Sequence, residues 1–239
     1  MKKIQKKADP KLPRAKKGPG RASAEARRVG PSRGGDPLIR EIHHRVVNQL
    51  NLIYNILYFQ RQFSRDSGCA AMLASSQKRI KAIALVYEHL ERALDFNRVH
   101  FAGYCKSLLA EVLGAADGPG KKIVLKTRAA AVTLDVTTAV TCGLIINELL
   151  DNALKHAFPD GRRAEISFGL QERKDGALVI TVSDNGIGLP PEVQWLRSGT
   201  MGSFLVNTLC ENLKGELTVD VDDGTSFQLR FRPDPAAGR

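Results

Sequence analysis

From Leu38 to Leu94 apolar residues return every three or four positions. Ile42, Val46, Leu50, Ile53 and Leu57 form one stripe. Leu73, Ile80, Ile83, Tyr87, Leu90 and Leu94 form a second, with heptad-like spacing. Each period is that of a helix with one apolar face. The polar run Ser64-Arg65-Asp66-Ser67-Gly68 between them reads as a loop, so a helical hairpin is predicted. Two helices alone bury little, and these stripes are broad. Dimerisation into a four-helix bundle is therefore expected, with packing onto the hairpin's own downstream domain as the alternative.

Further along, Phe101 to Val112 has the pattern of another helix, read as a connector, and the character changes after Gly118-Pro-Gly. Ile123-Val-Leu and Val132-Thr-Leu read as short strands, and Val136 to Ala157 as one long helix. Ala164 to Leu170 and Ala177 to Ser183 alternate as strands around a turn at Lys174-Asp175-Gly176. Gly202 to Leu213 reads as a helix stopped by Gly215. Glu216 to Val221 and Ser226 to Phe231 make a closing strand pair. Helices and strands mix without strict alternation, which favours an α+β fold over a doubly wound sheet. No internal repeat is visible.

The net charge of +11 suggests nucleic acid until it is located. Residues 1–33 hold twelve Lys/Arg and two acids, leaving 24 basic and 23 acidic residues for the rest. The basicity therefore belongs to a tail, residues 1–35, rich in Lys, Arg, Pro, Gly and Ala and lacking aromatics. Such a composition cannot offset its chain entropy by burial, so a disordered solubilising tail is expected. A weak contact with nucleic acid, acidic protein or anionic lipid ranks second. No run of about 18 apolar residues predicts a membrane span. Cys69, Cys105, Cys142 and Cys210 are far apart among apolar neighbours and read as reduced, which makes a cytoplasmic location the expectation.

Candidate chemistry lies on the long helix, in Asn147-Glu148-Leu-Leu-Asp151-Asn152-Ala-Leu-Lys155-His156-Ala. Glu148, Asn152 and Lys155 are spaced by four and three and share a face. A carboxylate, an amide and an ammonium on an otherwise apolar helix suit a metal-phosphate site as well as an ordinary surface. Ser183-Asp184-Asn185-Gly186-Ile187-Gly188 follows a strand. It has the makings of a tight turn, but no pairing strand begins after it, and its glycines allow backbone to approach a ligand. Gly224-Thr225 opens the last strand. With Ile42 at zero on a wheel of about 100° per residue, the stripe of the first helix falls within about 80° and His44 near 200°. His44 should face solvent, on the face of Asn48, Asn51, Asn55 and Gln62, with His43 at the stripe edge.

Asn147 to His156 resembles the N box of the GHKL ATPases, the family of gyrase, the Hsp90 chaperones and histidine kinases. Asp184 to Gly188 is similar to that family's first glycine box. The resemblance implies a Bergerat-type α/β sandwich binding ATP and Mg2+. Asp184 would read the adenine amino group, Asn152 would bind the magnesium ion, Lys155 would lie near the phosphates, and Thr225 would support the adenine end. Glu148 would orient water or metal, or act as a base. Asn147, Gly186, Gly188 and Gly202 complete the set, and Asn185 to Met201 would carry the lid. Gly199-Thr-Met-Gly202-Ser-Phe departs from the usual Gly-x-Gly of the second glycine box, although a helix N-terminus there can still hold phosphate.

Glu41-Ile-His43-His44-Arg45-Val46-Val47-Asn48-Gln49-Leu50 resembles the His-His-Arg-Val-Lys-Asn-Asn-Leu box of sensor histidine kinases related to the HWE subgroup. Val47 and Gln49 depart from it, and the Trp-x-Glu signature is absent. In that box the His before Arg is phosphorylated, which implies His44, with Glu41 one turn earlier able to orient it. The implied layout is a basic tail over 1–35, a dimerisation and phosphoacceptor hairpin over 36–98, and an ATP-binding catalytic domain over 99–235 with a connector over 99–118. The implied activity is autophosphorylation of His44 in a homodimer, followed by transfer to an Asp of a response-regulator receiver domain. Two alternatives stay open: a non-catalytic phosphotransfer or docking protein, and an ATPase using Glu148 to activate water.

Overall fold

The computed structural model describes residues 37–91, 97–114, 123–159, 163–190, 195 and 199–234. The basic tail and Leu94 lie outside these residues.

Helices α1 (Pro37–Phe63) and α2 (Ser67–Glu91) form the hairpin. The loop is shorter than the sequence pattern suggests because Asp66 starts α2. Its carboxylate accepts from the backbone N–H of Gly68 and of Cys69, both at 3.0 Å, and so caps the helix. The predicted stripe of α1 divides in the fold. Val46, Leu50 and Leu57 are half-buried, whereas Ile42 and Ile53 are exposed. His43 is buried and meets the Tyr87 ring edge-on at 5.7 Å. Leu38, Ile42, Leu52, Ile53, Ile56, Phe59 and Phe63 remain exposed, Phe63 by 83%.

Helix α2 is surrounded on several sides rather than carrying a single seam. It packs against α1, against α3 (Phe101–Gly114) and against α4 (Val136–Asn152). Its buried residues are accordingly Gln77, Ala82, Ala84, Leu85, Val86 and Leu90. The hairpin thus packs onto its own downstream domain through α2, while α1 keeps an apolar outer surface. Helix α3 is not a mere connector: Phe101, Tyr104, Cys105, Leu108 and Leu109 are all buried in the core it shares with α4.

Strand β1 (Arg98–His100) pairs antiparallel with β3 (Thr133–Asp135), a ribbon the sequence pattern did not signal at residues 98–100. The main sheet has the order β2-β4-β5-β7-β6, formed by β2 (Val124–Ala129), β4 (Glu165–Glu172), β5 (Leu178–Asp184), β6 (Glu216–Asp220) and β7 (Thr225–Phe231). The β2–β4 pair is parallel and the rest antiparallel. Alternation decides the buried face: Ile166, Phe168 and Leu170 of β4 and Phe227, Leu229 and Phe231 of β7 flank Leu178, Ile180 and Val182 of β5 in the core. Helix α4 begins where the Asp135 carboxylate accepts from Thr138 N–H at 2.9 Å, and Ile145, Ile146, Leu149 and Leu150 bury its apolar side. Helix α5 (Met201–Asn212) also packs on α4. Cys105, Cys142 and Cys210 are free and buried, with burial pushing their thiols upward, that of Cys210 to about 11.

Candidate functional site

A cavity of about 730 Å³ opens between α2, α4, α5 and the C-terminal end of β5. Glu148, Asn152 and Lys155 line it from α4 and the turn that follows, Asp184 and Gly188 from the end of β5, Gly202 from the start of α5, and Thr225 from β7. Glu148 and Asn152 are one turn apart on α4 and so share its inward face. After Asn152 the helix widens into a π turn, Ala153–Ala157, which carries Lys155 and His156 along the wall. Single π turns recur at ligand sites because they re-aim a helix face.

The β5–β7 register sets Asp184 directly opposite Thr225. Burial raises the Asp184 carboxyl above its usual range, against the lowering effect of backbone N–H groups from Gly186 and Thr225; the Gly186 bond is 2.9 Å. Gly186 itself lies behind the wall. A Cβ there would stand 2.4 Å from the Ala157 carbonyl oxygen, and Ile187 N–H donates to that same oxygen at 3.0 Å. The loop after β5 is therefore pressed against the end of α4's π turn, and only glycine permits the approach. Asn185 ties the loop from the other side: its Oδ1 accepts from Glu165 N–H at 2.8 Å and its Nδ2 donates to the Arg163 carbonyl at 3.1 Å.

At the far end, α5 starts with Thr200 as cap, its Oγ1 accepting from Ser203 N–H at 3.2 Å. Thr200, Met201 and Gly202 line the cavity, so an N-terminal helix turn faces it even without the usual glycine pair. Asp151 bridges Lys155 and Lys78, each at 2.5 Å. Burial works to raise the Asp151 carboxyl, but the two ammonium groups prevail and hold it below the usual range.

Three further expected residues lie elsewhere. Asn147 is not in this cavity: one residue before Glu148, it points about 100° away around the helix and lines a second cavity of about 120 Å³ beside Tyr54, Gln77 and Lys81. Its Nδ2 donates to Glu148 Oε1 at 3.4 Å. Glu41 and His44 are on α1, exposed, and Glu41 is paired with Arg45 at 2.9 Å. The structure also brings in a wall that the motifs did not name. Ala71, Met72, Ser75, Ser76 and Arg79 of α2 face the nucleotide-box residues, and Arg79 donates from Nε and Nη2 to the two oxygens of Glu148, both at 2.9 Å. Their spacing of three and four was visible, but nothing in the sequence says what such a stripe faces.

The residues fit a nucleotide. Asn152 Nδ2 is a buried donor with no acceptor, which a phosphate oxygen would satisfy. Mg2+ characteristically leaves most of its shell to phosphate and water, so one protein ligand such as Asn152 is compatible with it.

Comparison with known proteins agrees with this geometry. Residues 41–116 match the model described as histidine kinase, and residues 137–235 match that of the histidine kinase-, DNA gyrase B- and HSP90-like ATPases. The chain is 30% identical over 187 residues to blue-light-activated histidine kinase 2 of Erythrobacter litoralis, covering 77% of this chain and 53% of that protein. It is 31% identical over 175 residues to the sensor histidine kinase PdtaS of Mycobacterium tuberculosis, covering 73% and 34%. The chain thus spans about half or less of the length of these curated relatives. The histidine kinase domain of an Erythrobacter litoralis blue-light activated histidine kinase superposes with a TM-score of 0.64 at 26% identity, covering 82% of this chain and 90% of that one. No helix of the described residues is long and apolar enough to cross a membrane.

Proposed function

The chain belongs to the histidine kinases, with an ATPase domain of the GHKL class, and on that premise we propose that it phosphorylates its own His44 from Mg2+·ATP and passes the phosphoryl group to an Asp of a response-regulator receiver domain. The observation that carries this reading is the convergence of Asn152, Lys155, Asp184, Gly188, Gly202 and Thr225 on one cavity, in a chain whose hairpin presents an exposed His44.

In this reading Asp184 accepts the adenine amino group and Thr225 supports it. Lys155 and the α5 N-terminus face the phosphates, and Asn152 holds the magnesium ion, which neutralises phosphate charge when bound. A neutral imidazole nitrogen of His44 attacks the γ-phosphorus. A P–N bond forms, the bond to the ADP oxygen breaks, and the ring proton leaves to solvent or to Glu41. The exposed stripe from Leu38 to Phe63 supports a homodimer through α1. Buried reduced cysteines support a cytoplasmic setting. The layout is a phosphoacceptor hairpin over 36–98 and a catalytic domain over 99–235.

Incubation with γ-labelled ATP and magnesium should give an acid-labile label that disappears in His44→Ala; full labelling of that variant refutes the assignment. The ATPase alternative, with Glu148 activating water, is disfavoured by Arg79, which engages both oxygens of that carboxylate. Steady phosphate release without protein labelling would revive it.

A further inference from the structure

The smaller cavity, about 120 Å³, lies where α1, α2, α3 and α4 meet and shares no lining residue with the nucleotide cavity. Each helix gives it one face. Gln77, Lys78 and Lys81 of α2 and Leu108, Glu111 and Val112 of α3 follow the three-and-four spacing of a helical stripe. Arg61 comes from the last turn of α1, and Asn147 enters from α4. A water takes about 30 Å³ of liquid, so the space suits a few waters or one tetrahedral oxyanion and is far too small for a nucleotide.

The polar groups of this cavity are buried and incompletely satisfied. Asn147 is 1% exposed and Gln77 3%. Asn147 Nδ2 donates to Glu148 Oε1, which fixes the orientation of the amide, because the flipped group would set its oxygen against a carboxylate. Asn147 Oδ1 is thereby left buried with no donor. Buried acceptors are nearly always satisfied, so a donor belongs here. Gln77 is already occupied: its Nε2 donates to the Tyr54 carbonyl at 3.4 Å, and its Oε1 accepts from Arg61 Nη1 at 3.3 Å, which draws the guanidinium to the cavity.

Charge points the same way. Lys78 is paired with Asp151. Neither Arg61 nor Lys81 has an ion-pair partner among the described residues, and Lys81 is half-buried. Set against the one carboxylate of Glu111, they leave the cavity net positive. An anion is therefore favoured, but a fully deprotonated one would meet the acceptors of Asn147 and Glu111 with nothing to donate. We propose that this cavity binds a small oxyanion that keeps a proton, with inorganic phosphate as its type. The charged oxygens accept from Lys81 and Arg61, and the P–O–H group donates to Asn147 Oδ1. At neutral pH phosphate keeps at least one proton and sulfate keeps none, so the Asn147 acceptor discriminates between two ions of the same shape. On the kinase reading, phosphate is also what hydrolysis of a phosphorylated His44 or receiver Asp releases, but the site itself does not rest on that reading.

Equilibrium dialysis of the full chain against labelled phosphate or labelled sulfate, without nucleotide and at constant ionic strength, gives the test. Phosphate should occupy one site per chain and bind about tenfold or more tighter than sulfate, the ratio expected from one hydrogen bond to an ion. Lys81→Gln should weaken phosphate binding about tenfold, and Asn147→Leu should abolish the preference over sulfate. Equal affinities for the two anions overturn the proposal. So does retention of neither at millimolar concentration, which leaves the cavity to water. Phosphate lodged in the nucleotide cavity instead would be displaced by an ATP analogue and would respond to Lys155→Gln but not to Lys81→Gln, and that result overturns the proposal as well. If Asn147→Leu does not melt cooperatively, Lys81→Gln and exposed Arg61→Gln decide: weaker phosphate binding in both supports the site, and wild-type affinity in both overturns it. Because no nucleotide is present, each outcome judges this site and leaves the kinase reading to the labelling of His44.

Discussion

Asp184→Asn separates reading the adenine from supporting the loop. In the native protein one carboxylate oxygen accepts from Gly186 N–H at 2.9 Å while the side chain lines the cavity. Asparagine keeps one acceptor oxygen for the backbone N–H groups of Gly186 and Thr225 that act on the carboxylate. It replaces the other oxygen with an amide N–H2, a donor set against the donating amino group of adenine. The lost hydrogen bond involves a charged acceptor, worth about 1.5–3 kcal/mol, so ATP should bind about tenfold to a hundredfold more weakly. Inosine triphosphate carries a carbonyl in place of that amino group, and its affinity should hold or improve. Stability should move the other way. Burial lifts the Asp184 carboxyl above its unfolded value, so the native state binds its proton more readily. Folding is then favoured below the unfolded value, and the burden of a buried charge sets in as pH rises through the raised one. At neutral pH the substitution removes that burden, and the apo melting temperature should be unchanged or higher. Fluorescence titration with both nucleotides, with melting curves alongside, gives the answer. Equal loss for the two nucleotides, or a lower melting temperature, would refute the assignment.

Gly186→Ala places a methyl group 2.4 Å from the Ala157 carbonyl oxygen and Cβ, so overpacking should cost about 1–3 kcal/mol in chemical denaturation. It should also weaken nucleotide binding, since the displaced loop carries Gly188. Asp151 has its carboxyl held down by Lys155 and Lys78 against the effect of burial, so it contributes stability above its unfolded pKa that is lost as pH falls through the native one. Melting of Asp151→Asn between pH 6 and pH 3 should therefore decline less steeply than wild type, and parallel curves would contradict the pairing. Ile56→Glu puts a charge in the exposed stripe of α1 without touching the buried side. Sedimentation should show dimer converted to monomer with unchanged helical content, and an unaltered dimer would place the contact elsewhere.

Much of the fold was legible because its signals are local. The period of 3.6 marked both hairpin helices, and alternation marked β4 and β5. Asp184, Asn152 and Lys155 could be paired with one cavity because the motifs that carry them are short and contiguous. What failed was whatever depended on neighbours. The stripe of α1 was placed as one face, yet it splits, since only half of it meets α2. Helix α2 was given a heptad seam, but three helices surround it, so its small residues Ala82 and Ala84 are buried instead. Asn147 precedes Glu148 directly in the sequence, and a rotation of about 100° sends it to another cavity.

Arg79 shows why the α2 wall of the site escaped while the nucleotide boxes did not. A motif can be read when all its residues lie within one turn or one loop, because their geometry is then set by the backbone alone. Arg79 and Glu148 are 69 residues apart, and they meet only because α2 and α4 share the core built around Tyr104, Leu108, Ile145 and Leu149. In sequence, Gln77-Lys78-Arg79 is an ordinary solvated helix face, and only the packing of α4 makes its two cations partners of two buried acids. The α2 wall of the cavity, Ala71, Met72, Ser75, Ser76 and Arg79, is likewise a product of packing that no contiguous motif encodes.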